Sequence, residues 1–337
     1  MTYLSTLESD EKKIRASFNN KAWAAITLAV LSCALMIGSS YLISLFIQPI
    51  AELSKSIASA FASDEETVRD VAYQIALAIY YSLSIIIPFG VSYLLFAAFF
   101  GRDPEPYAVK HGAPKMPFFY IAGTIGVCYL FNFVINLFFG ELFDNYFPIE
   151  EEPVPACTAA VIIYFIHLAV LPAILEEWAF RGIILKRLLP YDRRGAIILS
   201  ALLFGLMHVR PPQVLFATLF GLILGYCYDY TRSIKFTALI HFVNNLISGA
   251  VTLLSDNESA LASIGTVFLF LMIVGVGAVI FYTVAGVAKH RISFIRPPVI
   301  GAKVTTSRFF AMAFANIGTP LLVALLIYEF YVRYIAS

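Results

Sequence analysis

Two adjacent carboxylates stand inside a run of apolar residues, in the stretch Leu175-Glu176-Glu177-Trp178-Ala179-Phe180-Arg181-Gly182. The run extends from about Cys157 to Leu189 and reads as one membrane-spanning helix. One charged side chain at the centre of such a helix costs roughly 2.5–3.5 kcal/mol on insertion scales. Three of them together approach the net stability of a whole domain, roughly 5–15 kcal/mol. Glu177 and Arg181 are four residues apart, so they share a helix face and can pair. Glu176 points about 100° further round and receives no partner from its own segment. An unpaired intramembrane carboxylate is a functional-site hypothesis; the plainer reading is a pair of structural glutamates bonded to neighbouring helices.

Two more polar groups interrupt apolar helices downstream. His208 ends Phe204-Gly205-Leu206-Met207-His208, and His241 begins His241-Phe242-Val243-Asn244-Asn245, with Asn245 one turn from His241 on the same face. At about 1.5 Å per residue, Glu176, His208 and His241 lie at overlapping depths, in the inner half or near the middle of a hydrocarbon core about 30 Å thick. These residue types can hydrolyse an acyl bond. A desolvated carboxylate is a competent general base, so Glu176 with His208 could hold and deprotonate a water. His241 and Asn245 could donate hydrogen bonds to an oxyanion. There is no G-x-S-x-G nucleophile elbow and no H-E-x-x-H zinc motif. No cofactor is expected. One glutamate and two histidines also make a zinc ligand set, so if a metal is present its ligands are Glu176, His208 and His241.

The ordered pattern E-E-x-x-x-R, F-x-x-x-H, H-x-x-x-N on apolar helices resembles the CAAX protease and bacteriocin-processing family, also called CPBP or Abi, which includes the type II CAAX prenyl proteases. The resemblance covers about Ala156 to Leu254, and every motif position is intact. It implies an intramembrane endopeptidase of glutamic type. Glu176 and His208 would activate water, Glu177 and Arg181 would support the site, and His241 and Asn245 would form the oxyanion hole. The family has also been described as metalloproteases. The implied substrate is a membrane-associated peptide or a lipidated protein. A scaffold or immunity protein that binds a peptide or lipid at the same site without cutting is the alternative, and a transporter is a third reading.

The elements that must position these groups follow from composition. The chain has 337 residues, 60% hydrophobic and 13% charged, with a mean hydropathy of +0.82. A soluble domain carries about 25% charged residues, so this is an all-α, polytopic transmembrane bundle in contact with membrane lipids. The net charge of +1 gives no reason to expect nucleic acid. Nine spans are expected: about 23–47, 71–100 with a kink at Pro88, 118–139, 157–189, a short one at 196–209, 214–230, 236–254, 264–288 and 309–328. The division is three parts: spans one to three with an external amphipathic segment 50–70 in 1–155, the catalytic core in 156–254, and the C-terminal spans in 255–337. With the N-terminus in the cytoplasm, eighteen lysines and arginines fall on the cytoplasmic side. Only Lys55, Arg69, Arg210 and Arg333 fall outside. That asymmetry suits the cell membrane, with an external C-terminus.

Several other residues have plainer readings. Cys33, Cys128, Cys157 and Cys227 read as small core residues. His167 reads as a satisfied core histidine, Asn132 and Asn136 as interhelical glue, and Asp229 as a solvated end residue. Ala217, Gly221 and Gly225 form a small-residue row suited to close helix packing.

Overall fold

Long apolar segments leave the backbone no partner but itself, so they wind into helices. All elements in the described residues of this computed structural model are helical. It describes residues 2–62, 64–101, 117–147, 154–254 and 304–335, with isolated helical positions between 265 and 280. The helices are α1 Thr2–Ser44, α2 Ile47–Ala58, α3 Glu65–Phe100, α4 Pro117–Tyr146 and α5 Thr158–Leu188. They continue as α6 Arg193–Leu206, α7 Pro211–Thr231, α8 Ile234–Leu253, α9 Thr306–Phe314 and α10 Gly318–Tyr334.

Caps set the helix starts. Asp64 accepts from the Thr67 N–H at 2.8 Å, which holds its carboxyl below the usual range. The Asp192 carboxylate accepts from the Gly195 N–H at 2.8 Å, and the Ser233 hydroxyl from the Phe236 N–H at 3.3 Å. The expected external segment 50–70 is divided. Its first part is α2, and its last residues belong to α3, whose Asp70 accepts from the N–H groups of Ala156 and Cys157 ahead of α5.

Among the described residues, five helices are long and apolar enough to cross a membrane: Ala16–Ser44, Glu65–Phe100, Thr158–Leu188, Pro211–Thr231 and Ile234–Leu253. α9 and α10 make a sixth if taken as one span bent by 60°. The bend interrupts the ninth span expected from sequence, and Asn316 explains it. Its side-chain oxygen accepts from the N–H groups of Gly318 and Thr319, capping α10, while its amide donates to Met312 and Ala313 at the end of α9. The short fifth span is α6, about 21 Å at 1.5 Å per residue, less than the hydrocarbon core of about 30 Å. The expected eighth span falls almost wholly outside the described residues, as do the loop after Gly101, Glu150 to Glu152 and the basic linker before Val304.

α6 and α7 pack as a tight antiparallel hairpin, and the small-residue row explains how. A Cβ on Gly221 would come within 3.1 Å of Ala201 and Phe204, and one on Gly225 within 3.0 Å of Ile197. A Cβ on Gly205 would strike Thr218 at 1.9 Å. Asp229 is not solvated: it is fully buried, held by Arg193 at the start of α6 and by Arg232 at 2.8 Å. Two cations from different segments remove the need for water. They lock α6 to α7 at the base of the hairpin.

Candidate functional site

α5 carries Glu176 and Glu177, and it is not a regular helix. Wider π-type turns occupy Ile166–Val170 and Trp178–Leu185, on either side of the glutamates. Such turns concentrate at functional sites. Pro172 lies between them and has no N–H to offer the carbonyl four residues back, that of Leu168. That freed carbonyl accepts from Asn245 Nδ2 on α8 at 3.1 Å.

Glu177 and Arg181 meet at 2.8 Å, as their spacing requires, and both are fully buried. The guanidinium also donates to the Gly221 carbonyl on α7 at 3.3 Å and sits 4.7 Å over the Phe204 ring of α6. One arginine therefore ties α5, α6 and α7 together behind the cavity. His241 Nδ1 lies 3.1 Å from Glu177 Oε1 and donates to it, because a carboxylate oxygen only accepts. The other ring nitrogen of His241 lies 3.8 Å from Glu176 Oε2.

Glu176 does find a partner, from a distant helix. The Tyr81 hydroxyl of α3 donates to its Oε1. Its Oε2 is buried and, among the described residues, accepts no hydrogen bond. Tyr81 was not expected from the sequence.

His208 is not on a helix. α6 ends at Leu206 with Met207 as its cap, and the chain turns through Val209, a β-branched residue at φ 61°. That is a strained conformation of the kind found at functional sites. His208 Nδ1 lies 2.9 Å from the Phe204 carbonyl. A carbonyl only accepts, so Nδ1 carries a proton, and in the neutral form of the ring Nε2 is the acceptor.

These groups converge on one cavity of about 570 Å³. Glu176 from α5, His208 from the α6–α7 turn, and His241 and Asn245 from α8 all line it, with Tyr81. Glu177 and Arg181 do not; they lie behind it. Phe204, Phe216 and Phe220 give it an aromatic wall. Asn132, read from sequence as glue, also lines it, as does Asn244. The Asn136 side chain lies outside the description. His167 is buried in the first π-type turn, edge-on to Tyr164. Among the described residues, no three His, Cys, Asp or Glu side chains form a metal-ligand group. Both histidine Nδ1 atoms are held, by the Phe204 carbonyl and by Glu177, which leaves each Nε2 as the ring nitrogen able to meet a water or a metal.

Residues 158–247 match the family model described as type II CAAX prenyl endopeptidase Rce1-like. The matched stretch begins at the first residue of α5 and contains all six candidate site residues, Glu176, Glu177, Arg181, His208, His241 and Asn245. No curated protein and no solved structure matches the chain. With the apolar helices, the match marks an integral membrane protein whose core is similar to CAAX-type membrane proteases.

Proposed function

We propose that the chain is an intramembrane endopeptidase of glutamic type. It hydrolyses a peptide bond of a membrane-associated peptide or a lipidated protein in the cavity between α3, α5 and α8. The observation that carries this reading is the state of Glu176: it lines the same cavity as His208, with one oxygen held by Tyr81 and the other buried and, among the described residues, without a hydrogen-bond donor. Glu176 Oε2 and His208 Nε2 are both acceptors, the arrangement needed to hold a water and take its proton. The water oxygen then bonds to the substrate carbonyl carbon, and the carbonyl electron pair moves onto its oxygen. His241 and the second amide hydrogen of Asn245 donate to that oxyanion. Because Nδ1 of His241 is committed to Glu177, only the imidazolium can donate from Nε2. Collapse re-forms the carbonyl and breaks the C–N bond, and the proton taken from water passes to the leaving amine.

The test is cleavage by the purified chain in lipid vesicles, using prenylated CAAX peptides beside unmodified apolar peptides. An internal cut that survives exhaustive chelation, with less than one zinc per chain, is expected. Loss on chelation with recovery on added zinc would replace the metal-free mechanism, and binding without any cut would favour the scaffold reading.

Tyr81→Phe removes only the hydroxyl that orients Glu176. Hydrogen bonds to charged groups are worth about 1.5–3 kcal/mol, so kcat is expected to fall roughly tenfold or more with KM little changed. Wild-type kcat in this variant would release Tyr81 from the site.

The same reading places the chain in the cell membrane with a cytoplasmic N-terminus. Reporter fusions after Tyr334 are expected to score as external and fusions between Arg291 and Arg308 as cytoplasmic. Equal scores would remove the bent last span from the topology.

A further inference from the structure

Beyond the oxyanion donors, α8 presents a longer polar stripe to the cavity. His241, Asn244, Asn245 and Ser248 all line it. From His241 to Ser248 the stripe runs about 10 Å along the helix, the length of about three residues of extended peptide at roughly 3.3 Å each.

The orientation of Asn244 is fixed by a chain of obligations. Pro172 frees the Leu168 carbonyl, which can only accept, so Asn245 must turn its Nδ2 toward it. Asn245 therefore turns its Oδ1 toward Asn244, and Asn244 donates its own Nδ2 to that oxygen at 3.0 Å. No freedom to flip remains, and Asn244 Oδ1 is left as an acceptor. It is buried without a hydrogen-bond partner, on a residue only 4% exposed. A buried acceptor left unmatched is costly. What it lacks is a donor, beside a helix face that already carries the proposed oxyanion groups.

We propose that Asn244 Oδ1 accepts a main-chain N–H of the bound peptide, so that the site recognises extended backbone along the His241–Ser248 stripe. This rests on the peptide-binding half of the reading above and not on catalysis. It makes Asn244 a substrate-binding residue whose selectivity is for the amide and not for any one side chain.

The experiment replaces one non-scissile amide at a time by an ester, which removes an N–H without adding bulk. The probe is a fluorescent prenylated peptide with a CAAX ending. Its affinity is measured on the full chain carrying Glu176→Gln, so that cutting does not interfere. One ester, within about three residues of the scissile bond, is expected to weaken binding roughly 10- to 100-fold. Adding Asn244→Leu is expected to abolish that difference, and Asn244→Asp, which keeps an acceptor, to retain it. A flat ester scan, or a sensitive position that stays equally sensitive in Asn244→Leu, would overturn the proposal. So would absence of any binding by the amide peptide. If Asn244→Leu does not accumulate, the scan on the Glu176→Gln chain decides alone: a sensitive position supports the proposal and a flat scan overturns it. Cleavage of the same peptide by the unsubstituted chain reports on the protease reading separately. Ester-sensitive binding without cutting would sink proteolysis and leave this inference standing.

Discussion

Arg181→Ala is expected to destabilise the chain by about 3–5 kcal/mol, the cost of stranding one member of a buried ion pair. Glu177 is fully buried, and the guanidinium is its partner at 2.8 Å. The loss does not stop at the pair. Arg181 also donates to the Gly221 carbonyl and covers the Phe204 ring, so its removal loosens α5, α6 and α7 at one point. Thermal unfolding in detergent, together with the yield of folded protein, reads this out. Adding Glu177→Gln to Arg181→Ala is expected to recover part of the stability, because it removes the stranded charge. An Arg181→Ala chain that unfolds at the wild-type temperature would show that water reaches Glu177, and the supporting role given to the pair would fall.

Glu176→Gln is expected to lower kcat/KM by about 10²- to 10⁴-fold, the range typical of a general base. The substitution keeps the shape of the side chain and an oxygen for the Tyr81 hydroxyl. It removes only the basicity at the oxygen that no hydrogen bond occupies. Folded protein should therefore accumulate normally, in contrast to Arg181→Ala. This separation of effects, activity lost at one position and stability at the other, distinguishes a base from a structural carboxylate.

Much of the site was legible because the rules involved are local. The Glu177–Arg181 pair follows from an i, i+4 spacing, and the shared cavity of Glu176, His208 and His241 follows from counting residues in from the helix ends. What escaped depended on partners distant in sequence. Tyr81 lies 95 residues from the glutamate it holds and is one of 19 tyrosines in a chain that marks none of them. Asp229 read as solvated because its Arg193 partner lies 36 residues back, across the hairpin. His208 read as helical because apolar residues run through to Val209, and the left-handed turn there falls on a valine, which does not announce it. Two further signals stand in the sequence. Pro172 must free the carbonyl of Leu168, and Asn316-Ile317-Gly318-Thr319-Pro320 contains the cap, glycine and proline of a helix break. Asn244 escapes a reading of the His241–Asn245 spacing alone, although a residue three away shares the face equally well.

The central claim, that Glu176 is the base of a peptide-hydrolysing site, is tested most directly by one comparison. Wild-type, Glu176→Gln and Glu177→Gln chains are reconstituted in vesicles at matched amounts of folded protein. New peptide termini are then counted by mass spectrometry as they form. The expected result is an internal cut by the wild type, none above background by Glu176→Gln at normal folded yield, and a reduced folded yield for Glu177→Gln. A Glu176→Gln chain that cuts at the wild-type rate, while a well-folded Glu177→Gln chain does not cut, would contradict the account and exchange the roles of the two glutamates.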